Sequence, residues 1–122
     1  MIGYTTVGTN DLERAGKFYD ALLGELGAGR AMEMERIILW ANKPASPMFG
    51  VITPLDENPS SCGNGSMVAL SMESTEAVAT MYAKAMELGA TDEGEPGPRG
   101  DGGAYFAYVR DLDGNKLAFY CM

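Results

Sequence analysis

The chain contains no histidine. Without an imidazole, the commonest metal ligand and the side chain best matched to acid–base work near neutral pH are missing from the whole molecule. Ser–His and Cys–His nucleophile arrangements are therefore excluded. Cysteine is almost as scarce: Cys62 and Cys121 are too few for a disulfide scaffold and form no C-x-x-C pair. Buried or loop thiols are expected, with a single bridge between them left open. Basic residues are few, nine against 17 acidic ones, for a net charge of −8. That balance argues against nucleic acid as a partner, because such affinity comes from neutralising phosphates with Lys and Arg. An acidic surface mostly confers solubility; the sharper alternative is a cleft that attracts cationic ligands. No apolar run approaches the roughly 18 residues a bilayer crossing needs, so no membrane partner is expected. The opening MIGYTTVGTND has neither a basic flank nor an apolar signal core, and a cytoplasmic location is expected from that.

What is present is a repeat. Residues 4–28, YTTVGTNDLERAGKFYDALLGELGA, read as strand, helix cap, amphipathic helix and glycine stop, and the same grammar returns at 67–90 as MVALSMESTEAVATMYAKAMELGA. Tyr4 corresponds to Met67, Asp11 to Ser74 and Tyr19 to Tyr82, with Gly27 and Ala28 matching Gly89 and Ala90. The offset is 63 residues early in the unit and 62 at its end, the trace of one small slip in a duplicated module. A fixed-period repeat dictates architecture and is weighed before local detail.

Residues 2–8 alternate and are rich in Thr and Val, which suits a strand. Asn10 is the expected N-cap, with Glu13 completing a capping box. Leu12, Ala15, Phe18, Tyr19, Leu22, Leu23 and Leu26 form one apolar stripe at helical spacing, and Gly27 ends the helix. Strands are expected over 30–34, 36–41 and 48–53, with a turn over 42–47 that holds two prolines. Residues 54–65 are turn chemistry throughout. In the second half a strand over 67–72 leads to a helix capped by Ser74, its stripe being Val78, Met81, Tyr82, Ala85 and Leu88. Residues 90–95 are a strand and the glycine-rich run 94–103 a flexible loop. Strands over 105–110 and 116–122 are joined across residues 111–115 by a D-G turn of the tight hairpin kind. Trp40 and Phe49 are read as core or dimer-interface residues.

Several look-alike motifs fall away on inspection. The glycine run precedes a strand, where a dinucleotide fingerprint needs a helix. Asp111, Asp113 and Asn115 mimic the opening of a calcium loop, but its glycine is misplaced and the twelfth position is Met122. Asn64-Gly65-Ser66 fits a glycosylation acceptor, which has no meaning without secretion.

With that element order, the chain resembles the glyoxalase/bleomycin resistance protein/dioxygenase family, the vicinal oxygen chelate superfamily. The resemblance covers essentially the full length. It is carried by NDLERAGKFYDALLGELG after the first strand and by the closing YFAYVRDLDGNKLAFYCM. It implies an α+β fold of two βαβββ modules, their curved mixed sheets enclosing a cavity. The whole of residues 1–122 would form a single domain, module 1 over about 1–55, a linker over about 56–65 and module 2 over about 66–122. It further implies a homodimer. Metal-dependent members hold a divalent ion with side chains on each module's first strand and carboxylates on each last strand. Here those positions are Tyr4, Met67 and Ala118, and residues 48–53 hold no Asp, Glu, His or Cys. A phenol, a thioether and a methyl group are poor ligands for a hard divalent ion. No metal or other cofactor is therefore expected, a shifted site using Glu33, Glu35 or Asp101 being the remote exception.

Alternation then turns Tyr4, Thr6, Met67, Ala69, Ser71, Ala118 and Tyr120 toward the cavity, while Val7, Val68, Leu70, Leu117 and Phe119 pack under the helices. Arg99, on the glycine-rich run at the cavity mouth, is the candidate grip for a carboxylate or phosphate. The expected function is metal-free binding of a small organic molecule. One alternative is sequestration of a cationic drug, as in bleomycin resistance. Another is a lyase, isomerase or dioxygenase with a displaced metal site, in which the Tyr4 or Tyr120 phenol acts as general acid. A third is a purely structural partner protein.

Overall fold

The computed structural model describes residues 1–122 and resolves into two units, Met1–Ser61 and Cys62–Met122. Unit 1 runs β1 (Tyr4–Gly8), α1 (Leu12–Gly24), β2 (Gly29–Glu33), β3 (Ile37–Ala41), β4 (Met48–Ile52). Unit 2 runs β5 (Val68–Ser71), α2 (Thr75–Glu87), β6 (Thr91–Pro98), β7 (Tyr105–Arg110), β8 (Lys116–Cys121). Each is a βαβββ module. The sheets have equivalent orders, β1-β4-β3-β2 and β5-β8-β7-β6, with the first strand parallel to the last and the other pairs antiparallel. No helix is long and apolar enough to cross a membrane.

Each helix covers one face of its own sheet. Under α1, the buried Tyr19 ring lies 5.8 Å from Trp40 and 4.8 Å from Phe49, centroid to centroid. Trp40 and Phe49 are thus core residues of unit 1. Under α2, Val78, Met81 and Ala85 are buried, as are Ala107, Val109, Leu117 and Phe119 of the sheet. The helix stops match bond for bond. Ala28 N–H donates to Leu23 O and Gly27 N–H to Gly24 O, as Ala90 N–H donates to Ala85 O and Gly89 N–H to Met86 O. These are Schellman motifs, and they require the positive φ that Gly27 (72°) and Gly89 (103°) adopt. The one-residue slip of the repeat falls in the last turn of α1. There Glu25 and Leu26 donate to Leu22 O and Leu23 O in tighter three-residue bonds.

Three local expectations are corrected. The α1 N-cap is Asp11, whose carboxylate accepts from Arg14 N–H at 3.0 Å. Asn10 instead accepts from Ser60 N–H at 2.7 Å. The cause is Thr9, whose buried hydroxyl bonds the Asp11 backbone on both sides and holds that residue extended. The run after Ala90 is a strand as far as Pro98, beyond the expected end at residue 95. As the sheet's edge, β6 can carry prolines and shed register at two bulges, between Asp92 and Gly94 and between Gly94 and Gly97. The β7–β8 connection spans the expected residues 111–115 but is a five-residue turn and not a tight hairpin, with Gly114 at φ 88°.

α1 is also tied to its sheet by charge. The Arg30 fork meets Asp20 through two bonds of 2.9 Å, Trp40 Nε1–H donates to the same carboxylate at 2.9 Å, and Arg30 reaches Glu33 at 2.6 Å. Hydrogen bonds from Arg30 hold the Asp20 carboxyl below the ordinary aspartate range; partial burial opposes this, and the Trp40 indole adds to it. A group depressed on folding stabilises above its unfolded value and loses that contribution as pH falls through its folded one. Asp20→Ala should therefore cost about 1–2 kcal/mol at neutral pH, discounted for the partial exposure of the pair. In urea titrations the gap from the parent should shrink below about pH 4, where the parent's carboxylate takes up its proton. A gap that stays constant down to acid pH would show that the loss is one of packing.

Candidate functional site

The faces turned away from the helices are where the expected ligand-contacting residues fall, and each unit is described separately. In unit 1, Tyr4 stands opposite Met48 and Thr6 opposite Gly50 on the edge strand β1. Tyr4 is 55% exposed, and Thr6 is exposed as well. Leu39, cross-strand from Gly50, lies so close over that glycine that a Cβ there would overlap its Cδ2. The face beside Thr6 is thus filled by leucine in place of any donor atom.

In unit 2 the register puts Ala69 beside Ala118 and Ser71 beside Tyr120, and then Ala118 beside Tyr108 and Tyr120 beside Phe106. These share one face, because directly paired residues point the same way. Ala69 and Ser71 are exposed, as is Met67 just before β5, whereas Ala118 has no accessible surface. The half-buried rings of Tyr120, Phe106 and Tyr108 form a ladder. Phe106 lies 5.1 Å from Tyr120 and 5.6 Å from Tyr108, with interplanar angles of 14° and 15°. Such stacks contribute about 0.5–1.5 kcal/mol per pair beyond area burial.

Cations cap the Tyr108 end. The Arg99 guanidinium sits 5.6 Å and the Lys116 ammonium 5.1 Å from the Tyr108 centroid. Glycine makes this possible: a Cβ on Gly94 would come within 2.8 Å of the Tyr108 ring. Arg99 is further committed to its own hairpin, donating to Glu95 O at 2.8 Å and Pro98 O at 3.2 Å. At the other end, Tyr120 has Phe106 on its β7 side and the small, exposed Ser71 on its β5 side. That is the open end of the ladder.

Sequence reasoning found Tyr120, Ala69 and Ser71 but missed Phe106, Tyr108, Arg110 and Lys116. Alternation in YFAYVR puts Phe106, Tyr108 and Arg110 on one face; which face depends on the turn. Asp111 sets it. The buried carboxylate accepts from Asp113 N–H, Asn115 N–H and Asn115 Nδ2 at 2.9, 2.9 and 3.0 Å, pairing Arg110 with Lys116.

The residues do not fit the metal that the resemblance implies for other members. Tyr4, Met67 and Ala118 offer no carboxylate or imidazole, and β4 is MFGVI. Glu33, raised as a displaced ligand, is paired with Arg30. No group of three or more His, Cys, Asp or Glu side chains is arranged to hold a metal ion.

Comparison with known proteins gives consistent results. The model of the Glyoxalase/Bleomycin resistance protein/Dioxygenase superfamily matches residues 1–119. The chain is similar to a glyoxalase/bleomycin resistance protein from Albidiferax ferrireducens, with 38% identity, 100% of this chain and 98% of that one covered, and a TM-score of 0.90. The fold alone is shared with a lactoylglutathione lyase from Agrobacterium tumefaciens at 17% identity, 99% and 92% coverage and TM-score 0.73. It is shared too with a glyoxalase-related enzyme from Fulvimarina pelagi at 17% identity, 100% and 88% coverage and TM-score 0.78. Among curated protein sequences there is no match.

Because the Asp111 carboxylate satisfies three donors inside a buried turn, Asp111→Ala should cost about 2–3 kcal/mol. Denaturant midpoints measure that cost. Amide exchange across residues 105–121 should accelerate more than in α1, and uniform acceleration over both units would contradict a role confined to the turn.

Proposed function

Because the chain belongs to the Glyoxalase/Bleomycin resistance protein/Dioxygenase superfamily, we propose that it binds a small, planar organic molecule and does so without a metal ion. One observation carries this reading: the ladder Tyr120–Phe106–Tyr108 is capped by cations at one end and left open beside Ser71 at the other. An incoming ring stacking on Tyr120 extends the ladder by one member. Ser71 and Ala69 present little side chain to obstruct it, and Met67 supplies a pliable thioether nearby in the chain. Rigid aromatic side chains already stacked lose little entropy on binding, which favours recognition of flat ligands. A protein that binds in this way has no need of an acid–base residue, in keeping with a chain free of histidine. The same reading takes the functional protein to be a homodimer, consistent with the exposed apolar side chains of Ile2, Tyr4, Met32 and Met34.

A calorimetric screen of bicyclic aromatic compounds tests the proposal. Tyr120→Ala should weaken any hit by roughly threefold to tenfold, the equivalent of one aromatic stack. Ser71→Phe should abolish binding by occupying the slot while leaving thermal stability near the parent's, since position 71 is exposed. Protein dialysed against a chelator should bind as tightly as untreated protein. A hit that depends on restored metal, or that ignores both substitutions, would sink this reading. Sedimentation should give twice the chain mass, and a monomer at micromolar concentration would remove the dimer.

A further inference from the structure

The charge of the ligand can be read from what stands one step down the same face. Successive same-face positions on a strand are separated by about 7 Å. One step along β8 from Tyr120 is Ala118, in register with Tyr108, and at that level lies the Lys116 ammonium. Lys116 makes no ion pair with any carboxylate; its contact is with the Tyr108 ring. Arg110, its cross-strand partner, shares its charge with Glu93 at 3.0 Å and donates to Gly114 O at 3.1 Å. Beside this pair is a hollow of about 390 Å³, lined by Arg110, Lys116, Met67 and the backbone-rich run from Gly63 to Ser66. In a chain of net charge −8, this face therefore carries an uncommitted cation at the Tyr108 end of the ladder, one cross-strand pair from the slot at Tyr120.

We propose that the ligand is an anionic arene, its ring stacked on Tyr120 over Ser71 and its carboxylate held by Lys116 at the edge of the hollow. The inference rests on the binding reading above and adds the sign of the charge. Lys116 gives up at most part of a weak contact with Tyr108 when it turns to a carboxylate, and it gains a charge-assisted hydrogen bond in its place. Arg99 is set aside as the grip because both of its terminal nitrogens already serve carbonyls of its own hairpin. A cationic ligand would meet Lys116 and Arg110 head-on, so the overall acidity of the chain does not favour one here.

The test uses three probes that differ only in charge: naphthalene carboxylate, its carboxamide and its aminomethyl analogue, each titrated calorimetrically into the full-length protein. The carboxylate should bind roughly threefold to tenfold more tightly than the carboxamide, and the cation least, the preference shrinking as salt is raised. Lys116→Gln should bring the carboxylate-to-carboxamide affinity ratio to about one, while Lys116→Arg should restore the preference. Equal affinities for carboxylate and carboxamide, or tightest binding of the cation, would overturn the inference while the stacking reading survives. Binding of none of the three would overturn both.

Discussion

The carboxylate of Asp111 decides what the second unit can do. It gathers three donors from Asp113 and Asn115 in the space of five residues. The connection that results returns Lys116 opposite Arg110 and Ala118 opposite Tyr108. Strand side chains alternate with a period of two, so a register slip of one residue sends every side chain to the opposite face. Had β7 and β8 been joined by a tight two-residue turn on Asp113 and Gly114, their pairing would slip by one position. Phe106 and Tyr108 would then share a face with Leu117 and Phe119 under α2, and Ala107 and Val109 would take their places beside Tyr120. The aromatic ladder and the cation that ends it exist because one buried carboxylate selects the longer turn.

The two modules show which parts of a repeat are constrained by backbone physics and which are free to diverge. Caps and stops are kept in kind. An Asp or Ser side chain accepts from the third residue of each helix, and a glycine at positive φ closes each with the same pair of bonds. The helix faces diverge. Tyr19 is buried to 1% and packs on Trp40 and Phe49, while its counterpart Tyr82 stays half-exposed and donates to Asp92 at 2.9 Å. Burial, and then the neighbouring Asp92 carboxylate, raise the Tyr82 phenol above its ordinary pKa, so it remains a donor. Unit 1 anchors its helix with an Arg30–Asp20–Trp40 cluster, and unit 2 does so with that single phenol.

Most of the fold was legible because it is written in short-range signals. Periodicities of two and three to four, and glycines after leucine stripes, located all eight strands and both helices to within a few residues. What could not be read were competitions between neighbouring groups. Asn10 and Asp11 are both good caps, and the choice was made by the hydroxyl of Thr9. The prolines and glycines of residues 94–98 spell a loop in isolation, yet an edge strand with two bulges accommodates them because half its backbone groups need no partner. The candidate site was legible in part. Alternation alone identified Ser71, Ala69 and Tyr120, whereas Phe106, Tyr108 and Lys116 required the register, and the register rests on side-chain bonds within one turn.

Charge gives the last example of local arrangement overriding composition. A net charge of −8 points to cationic partners when averaged over the surface. Screening confines an exposed charge to about 8–10 Å at ordinary ionic strength, so a ligand senses the groups beside it far more than the total. On the open face of unit 2 the Arg110 charge is shared with Glu93, Arg99 is turned onto its own hairpin, and Lys116 retains an ammonium with only a ring for company. On the helix surfaces Glu13 and Glu87 are offset by Lys17 and Lys84, and the Asp111 carboxylate is occupied inside its own turn. The sign of the field that a bound ring would meet is therefore set by the strand register, which brings the Lys116 ammonium to Tyr108, one cross-strand pair down from Tyr120.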